Sequence, residues 1–101
     1  MKFLDKHFDA LRDALSSLRP SCGGEFFLDD VCWDNDCYTA VSLAYCEPPV
    51  NYYKTLRVFD LRSPEWTPAL LLLACLRLIF PERDCVALVN LRNKLFNQYF
   101  Q

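Results

Sequence analysis

The sequence predicts an α+β fold: an N-terminal helix, a three-stranded antiparallel meander and two C-terminal helices packed on one face of the sheet. Three observations predict it. The chain opens with apolar residues at helical spacing, continues through three segments rich in aromatic and β-branched residues, and ends with two apolar segments that each follow a helix-capping residue. Strands and helices grouped in separate runs are typical of this class. The length of 101 residues fits one domain, residues 1–101.

The first segment is predicted to be a helix because its large apolar residues recur at spacings of four and three. This spacing places them on one face, and charged residues occupy most of the remaining positions. Pro20 ends the helix, and the glycine pair that follows supplies a loop. The apolar face consists of Leu4, Phe8, Leu11, Leu15 and Leu18.

The segments "EFFLDDVCW" (25–33) and "CYTAVSLAYC" (37–46) are predicted to form a β-hairpin. Both are rich in strand-forming residues, and the Asp-Asn-Asp sequence between them is typical of a turn. A two-residue turn at Asp34-Asn35 would place Trp33 opposite Asp36 and Cys32 opposite Cys37.

"YYKTLRVFDL" (52–61) is predicted to be the third strand, with Leu56 and Val58 directed inward. The two prolines of the preceding "EPPVN" segment exclude a continuous strand there.

Two helices are predicted to follow. Thr67 is the expected N-cap of the first, with Pro68 at its first position, after a short turn. Asp84 is the expected N-cap of the second, although residues 85–89 could form a short fourth strand instead. The first of these helices is apolar nearly all round, which indicates that it is covered on more than one side.

Charge is distributed unevenly along the chain. No Lys, Arg or His lies between Arg19 and Lys54, and that interval carries a formal charge of −6. The preceding 19 residues sum to +1 and the segment from Lys54 onward sums to +3, so the net charge of −2 conceals a polarised molecule. A field of one sign accelerates encounters with a basic partner and disfavours nucleic acid.

The acidic hairpin is the main candidate for a binding site. Trp33 and Tyr38 are expected to be exposed among its carboxylates, where such aromatic residues are favoured anchors in interfaces. The alternative is a solvated turn that protects a sheet edge from aggregation. The candidate partner-binding residues are Asp29, Asp30, Trp33, Asp34, Asp36, Tyr38 and Glu47.

A metal site and an enzyme active site both have little support in the sequence. The cysteines that could supply thiolates, Cys22, Cys32, Cys37 and Cys46, lack the close paired spacing of zinc sites. The single histidine, His7, lies beside the apolar face of the first helix. Most of the six cysteines are expected to be reduced, structural thiols. We therefore expect no metal, no cofactor and no catalytic activity.

The order helix, three strands, helix is similar to the topology of double-stranded RNA-binding domains. Those domains present lysines at the start of the second helix, whereas the corresponding segment here, "SPEWTPALL", contains none. RNA binding in that manner is therefore not expected.

The C-terminal segment "LFNQYFQ" is the candidate for self-association. Phe96, Tyr99 and Phe100 give this short helix two apolar faces, which could join two copies or could both be used within one chain.

Two functional hypotheses follow. The first is a small cytoplasmic, non-catalytic inhibitor, of the toxin-immunity or mobile-element anti-defence type, that binds a nuclease or another basic nucleic-acid-binding protein through its acidic hairpin. The second is a homodimeric adaptor or small acidic chaperone. The cytoplasmic location rests on the first segment, which is interrupted by charges and is therefore unlike a signal peptide, and no apolar run is long enough to span a membrane.

Overall fold

The computed structural model describes residues 3–18, 24–34, 37–47 and 53–100, and for Asp30, Trp33 and Asp34 it describes the backbone alone. In chain order the elements are α1 (Asp5–Ser16), β1 (Glu25–Asp34), β2 (Cys37–Cys46), β3 (Tyr53–Asp60), α2 (Pro68–Ile79) and α3 (Cys85–Tyr99). The strands form an antiparallel sheet in the order β1-β2-β3, so β1 and β3 are its edges within the described residues. The predicted α+β class and element order are confirmed.

One buried apolar cluster joins the sheet to all three helices. The central strand contributes Val41 and Leu43, which are both fully buried. Burial of one such side chain stabilises the fold by about 1.5–3 kcal/mol. The buried residues of α2 are Pro68, Leu71, Leu72, Cys75, Leu76 and Ile79, which lie on one face of the helix. Leu70 and Arg77 on its other face are exposed, so the expectation that α2 is covered on more than one side is wrong. The cluster includes Leu11, Leu15, Leu28, Val41, Leu43, Phe59, Leu71, Leu72, Cys75, Leu76, Leu88 and Leu95.

The hairpin register differs from the predicted one. Asp34 pairs with Cys37 and Trp33 pairs with Tyr38, so the two residues between the strands are Asn35 and Asp36, which lie outside the described residues. The predicted turn at Asp34-Asn35 is therefore wrong. Register shifts on both sides of Cys32 also place that residue opposite Ala40 rather than Cys37.

The inward face of β3 also differs from the prediction. The register shifts where Leu43 pairs with Arg57 and Ala44 pairs with Thr55, which leaves Leu56 as the additional residue of a bulge. After this bulge Phe59 is buried, whereas Val58 is 54% exposed. The expectation that Val58 points inward is therefore wrong, because a bulge reverses the alternation of faces along a strand.

Both C-terminal helices begin at the predicted N-caps. The Thr67 hydroxyl accepts a hydrogen bond from the Leu70 N–H at 3.3 Å, and a carboxylate oxygen of Asp84 accepts one from the Ala87 N–H at 2.8 Å. Each bond satisfies a backbone donor that the first helical turn leaves without a partner. Because α3 starts at Cys85, residues 85–89 are helical and the alternative of a fourth strand there is wrong.

Candidate partner-binding site

The β1 strand combines an edge position with a concentration of carboxylates. Glu25 and Asp29 are exposed on this strand, and Asp30 and Asp34 belong to it through their backbone pairing with β2. Glu47, which follows β2, is exposed as well. The structure thus places most of the predicted acidic residues on or beside one edge of the sheet, while Asp36 lies outside the described residues.

Helix α1 runs along this edge strand. At the start of the helix, the Phe3 carbonyl accepts a hydrogen bond from the Tyr38 N–H at 2.7 Å, which places it beside the hairpin end of the sheet. At the end of the helix, Ser16 and Leu18 line a small cavity with Glu25 at the beginning of β1. The helix and the strand therefore lie side by side over the length of β1.

Three further carboxylates project from α1, and the sequence analysis missed their contribution. Asp5, Asp9 and Asp13 are spaced four residues apart and are all exposed, so they form one row along the helix. Arg12 lies 3.4 Å from a carboxylate oxygen of Asp9 and 3.6 Å from one of Asp13, which offsets part of this charge. The four-residue spacing could have revealed the row, but summing charge over the segment concealed it.

We call the acidic residues of β1 and α1 together the acidic edge. It consists of Glu25, Asp29, Asp30 and Asp34 on β1 and of Asp5, Asp9 and Asp13 on α1.

Tyr38 does not have the exposed position expected of it. Its ring is half-buried and stacks on Phe8 of α1, with a centroid separation of 4.6 Å and an interplanar angle of 14°. Its hydroxyl donates a hydrogen bond to Oδ1 of Asp5 at 2.9 Å. Tyr38 therefore joins α1 to the sheet beneath the acidic edge, and the expectation of an exposed aromatic anchor at this position is wrong.

The opposite edge of the sheet is basic. Lys54 and Arg57 are exposed on β3, and Arg57 shares a cavity with Arg77 of α2. Asp60, also on β3, is neutralised locally because Arg62 donates two side-chain hydrogen bonds to it, both 2.9 Å long, and these lower the pKa of Asp60 to about 2. The uneven charge distribution along the sequence thus corresponds to an acidic strand at one edge of the sheet and a basic strand at the other.

The C-terminal aromatic residues pack largely within the chain. The rings of Phe96 and Phe100 stack on each other, with centroids 4.4 Å apart. Both residues and Tyr99 are half-buried and contact the main core, and Tyr99 and Phe100 border a cavity against α1. These contacts agree with the use of both helix faces within one chain, one of the two alternatives at this segment, and self-association through it stays a prediction.

His7 has a structural role at the start of α1. Its Nδ1 accepts a hydrogen bond from the Leu4 N–H at 3.0 Å, which is one half of a capping box. Burial, and secondarily the charge of Lys6, lower the pKa of His7 and favour the neutral ring that this bond requires. In the described ranges, no three His, Cys, Asp or Glu side chains are grouped as metal ligands; Cys22 lies outside those ranges.

Comparison with known proteins gives no relative for this chain. No protein-family model matches it, and no match was found among curated proteins or solved structures. Within the part of the chain that the structure describes, no helix has both the length and the apolar character needed to cross a membrane.

Proposed function

We propose that this chain is a small, non-catalytic inhibitor that binds a basic, nucleic-acid-binding surface of a partner protein through the acidic edge. The observation that carries the proposal is that two sets of carboxylates lie at the same edge of the sheet. The row on α1 lies beside the acidic strand β1, and Glu25 and Asp29 alternate with the buried Leu28, so they project from the face of the sheet opposite α1. A partner that covers this edge of the sheet would contact both sets. A surface of this kind resembles the spaced negative charges of a nucleic-acid backbone, to which such partners bind.

The exposure of these carboxylates supports a role in association. Glu25, Asp29, Asp9 and Asp13 are all exposed, so they remain hydrated and form long-range fields rather than buried pairs. Fields of this type raise association rates by about 10- to 1,000-fold at low salt. They also oppose direct binding of nucleic acid, whose backbone carries the same sign of charge.

The biological class that suits this surface is an immunity protein for a nuclease toxin or an anti-defence protein of a mobile element. In both cases the carboxylates would occupy the positions of phosphates in the partner's binding groove. We place the protein in the cytoplasm, where thiols such as the buried Cys75 and the exposed Cys85 remain reduced.

The test uses two variants that remove the same amount of charge, one from the acidic edge and one from the turn between α2 and α3. Glu25→Gln/Asp29→Asn removes two charges from the acidic edge, and Glu82→Gln/Asp84→Asn removes two exposed carboxylates between α2 and α3, with the N-cap oxygen retained. Each protein is used to capture partners from a lysate of the native host, and the association rate of the captured protein is then measured at low and moderate salt. Competition with single- and double-stranded DNA and RNA is measured in the same assay.

The proposal expects a nucleic-acid-binding partner that associates with the acidic-edge variant about tenfold more slowly than with wild type or with the control variant. Salt should slow the wild-type association, and nucleic acid should compete with it. A captured partner that binds all three proteins at the same rate, or that binds nucleic acid and this chain simultaneously, would refute the proposal.

A further inference from the structure

The basic edge of the sheet borders a groove that has no part in the function proposed for the acidic edge. This groove lies between β3 and α2 and has a volume of about 480 Å³, which is within the range of ligand-binding pockets. The residues that define its character are Arg57, Glu65, Trp66, Leu70, Leu73 and Arg77.

The groove combines an apolar wall with two guanidinium groups. Leu70 is 44% exposed although it is a large apolar side chain, and Trp66 is half-buried beside it. The Arg57 guanidinium lies over the rings of Phe59 and Trp66, at 4.8 and 5.5 Å from their centroids, so it is held at the groove. An occupant therefore needs both an apolar group and a negative charge.

The two arginines are available to an anionic partner. In the described part of the chain, neither Arg57 nor Arg77 takes part in an ion pair. Arg77 makes one weak contact, with the Cys85 sulfur at 3.8 Å. Among the described residues, Glu65 is the single carboxylate that borders the groove, so the two arginines give this lining a net positive charge.

The backbone of β3, whose Arg57 borders the groove, offers hydrogen-bonding groups at the edge of the sheet. The Leu61 N–H donates to the Thr39 carbonyl at 2.9 Å, which identifies a hydrogen-bonded pair at the end of the β2–β3 ladder. Such pairs alternate with non-hydrogen-bonded pairs in antiparallel sheets. Val58 lies three residues before Leu61 and pairs with Ser42, and no register shift separates the two positions, so Val58 belongs to a non-hydrogen-bonded pair. Its N–H and C=O therefore point away from β2, toward the open edge.

We propose that the groove between β3 and α2 binds an extended, acidic peptide segment of a partner protein, which adds to β3 as a fourth strand. Strand addition uses backbone hydrogen bonds for affinity and alternate side chains for specificity. Residues two positions apart in the guest lie on one face, about 6.6–6.8 Å apart. The guest therefore carries a large apolar residue beside Trp66 and Leu70, and an acidic residue two positions away that contacts Arg57 and Arg77.

This inference is independent of the acidic edge, because the groove lies at the opposite edge of the sheet, beside β3. The apolar wall and the edge position of β3 favour a peptide over a nucleic acid, which would need a longer basic track to contact successive phosphates. The two sites can therefore be tested separately.

The experiment selects a display library of random 12-residue peptides against the full-length wild-type chain, and also measures binding of single-stranded oligonucleotides. Synthetic versions of the enriched peptides are then titrated into isotope-labelled protein and followed by NMR. We expect enrichment of sequences in which an acidic and a large apolar residue are two positions apart. We also expect shift changes at residues 54–58 and 70–77, and slower hydrogen exchange of the Val58 amide.

Two variants and one control test the mechanism. Arg57→Gln/Arg77→Gln should weaken the enriched peptides about tenfold or more, since charge-assisted hydrogen bonds are lost. Arg92→Gln/Lys94→Gln, which removes two charges from α3, should leave binding unchanged. Val58→Pro removes the outward N–H and should abolish peptide binding. If the proline variant does not fold, the comparison of wild type with the arginine variant is the deciding test.

Three binding results would overturn the inference. They are the absence of enriched peptides, equal binding by wild type and the arginine variant, and binding of oligonucleotides alone. A peptide that perturbs β1 instead of β3 would also overturn it, without affecting the proposed role of the acidic edge.

Discussion

The hydroxyl of Tyr38 donates a hydrogen bond to Oδ1 of Asp5 across 2.9 Å, and this bond joins the central strand to the first turn of α1. The same tyrosine stacks on Phe8, one turn further along the helix. A residue that the sequence indicated as an exposed anchor therefore fixes the position of α1 over the sheet. The row of helix carboxylates lies beside β1 in part because of this contact.

Two substitutions of Tyr38 should distinguish the contributions of the hydrogen bond and of the stacked ring to stability. Tyr38→Phe retains the stacked ring and removes the hydrogen bond, so we expect the free energy of unfolding to fall by about 0.5–1 kcal/mol. Tyr38→Ala also removes the ring, and should cost about 2–3 kcal/mol because a half-buried aromatic contact is lost. Denaturant unfolding of both variants provides the measurement.

Tyr53→Phe is the matched control for Tyr38→Phe, because Tyr53 is 66% exposed on β3. Its stability should remain within about 0.5 kcal/mol of wild type. Equal effects of the two Tyr→Phe substitutions would show that the bond to Asp5 contributes nothing measurable.

The pH dependence of stability should contain a contribution from His7. Its pKa in the folded protein is lowered from 6.5, mainly by burial. The unfolded chain therefore binds more protons between pH 6.5 and the lower pKa of the folded state, and the free energy of unfolding should decrease as the pH falls through this window. Protonation of Nδ1 would also remove the acceptor for the Leu4 N–H.

His7→Gln isolates this contribution, since glutamine at the same helix position can accept the Leu4 N–H but does not titrate. Denaturant unfolding from pH 7.5 to 5.5 should show a smaller loss of stability for the variant than for wild type. Identical pH profiles would exclude His7 as the titrating group.

The sequence predicted those features that depend on local patterns. Thr67 and Asp84 were identified as N-caps because a polar acceptor before an apolar run has a specific local function, and each forms the expected bond. The hairpin register and the bulge at Leu56 were not predicted, because they depend on how the strands pack together. The side-by-side placement of α1 and β1 has the same tertiary origin, which is why the full acidic edge emerged only from the structure.

The N-cap of α3 provides a direct test of local stabilisation. Asp84→Ala removes the acceptor of the Ala87 N–H and should lower the free energy of unfolding by about 0.5–2 kcal/mol. Asp84→Asn retains an oxygen acceptor and should cost much less, because asparagine is an equally favoured N-cap. Denaturant unfolding of the two variants distinguishes the contribution of the capping hydrogen bond from that of the negative charge. Equal losses of unfolding free energy in both variants would assign the effect to the charge.

The thiols should differ sharply in reactivity. Cys75 is completely buried in α2, and this burial raises its pKa to about 12. Cys32 and Cys85 are exposed. Because the thiolate is the reactive form, alkylation at pH 8 should modify Cys32 and Cys85 rapidly, whereas Cys75 should react only when the protein unfolds. Peptide mapping by mass spectrometry over a time course measures each rate.

Leu72→Ala tests whether unfolding limits the reaction of Cys75. Leu72 is fully buried in the same helix, and its truncation should cost about 2–5 kcal/mol. When opening and closing are fast, the labelling rate follows the population of the open state, so Cys75 should react at least about thirtyfold faster in this variant. The rates at Cys32 and Cys85 should not change. Rapid alkylation of Cys75 in the wild-type protein would contradict its position in the core.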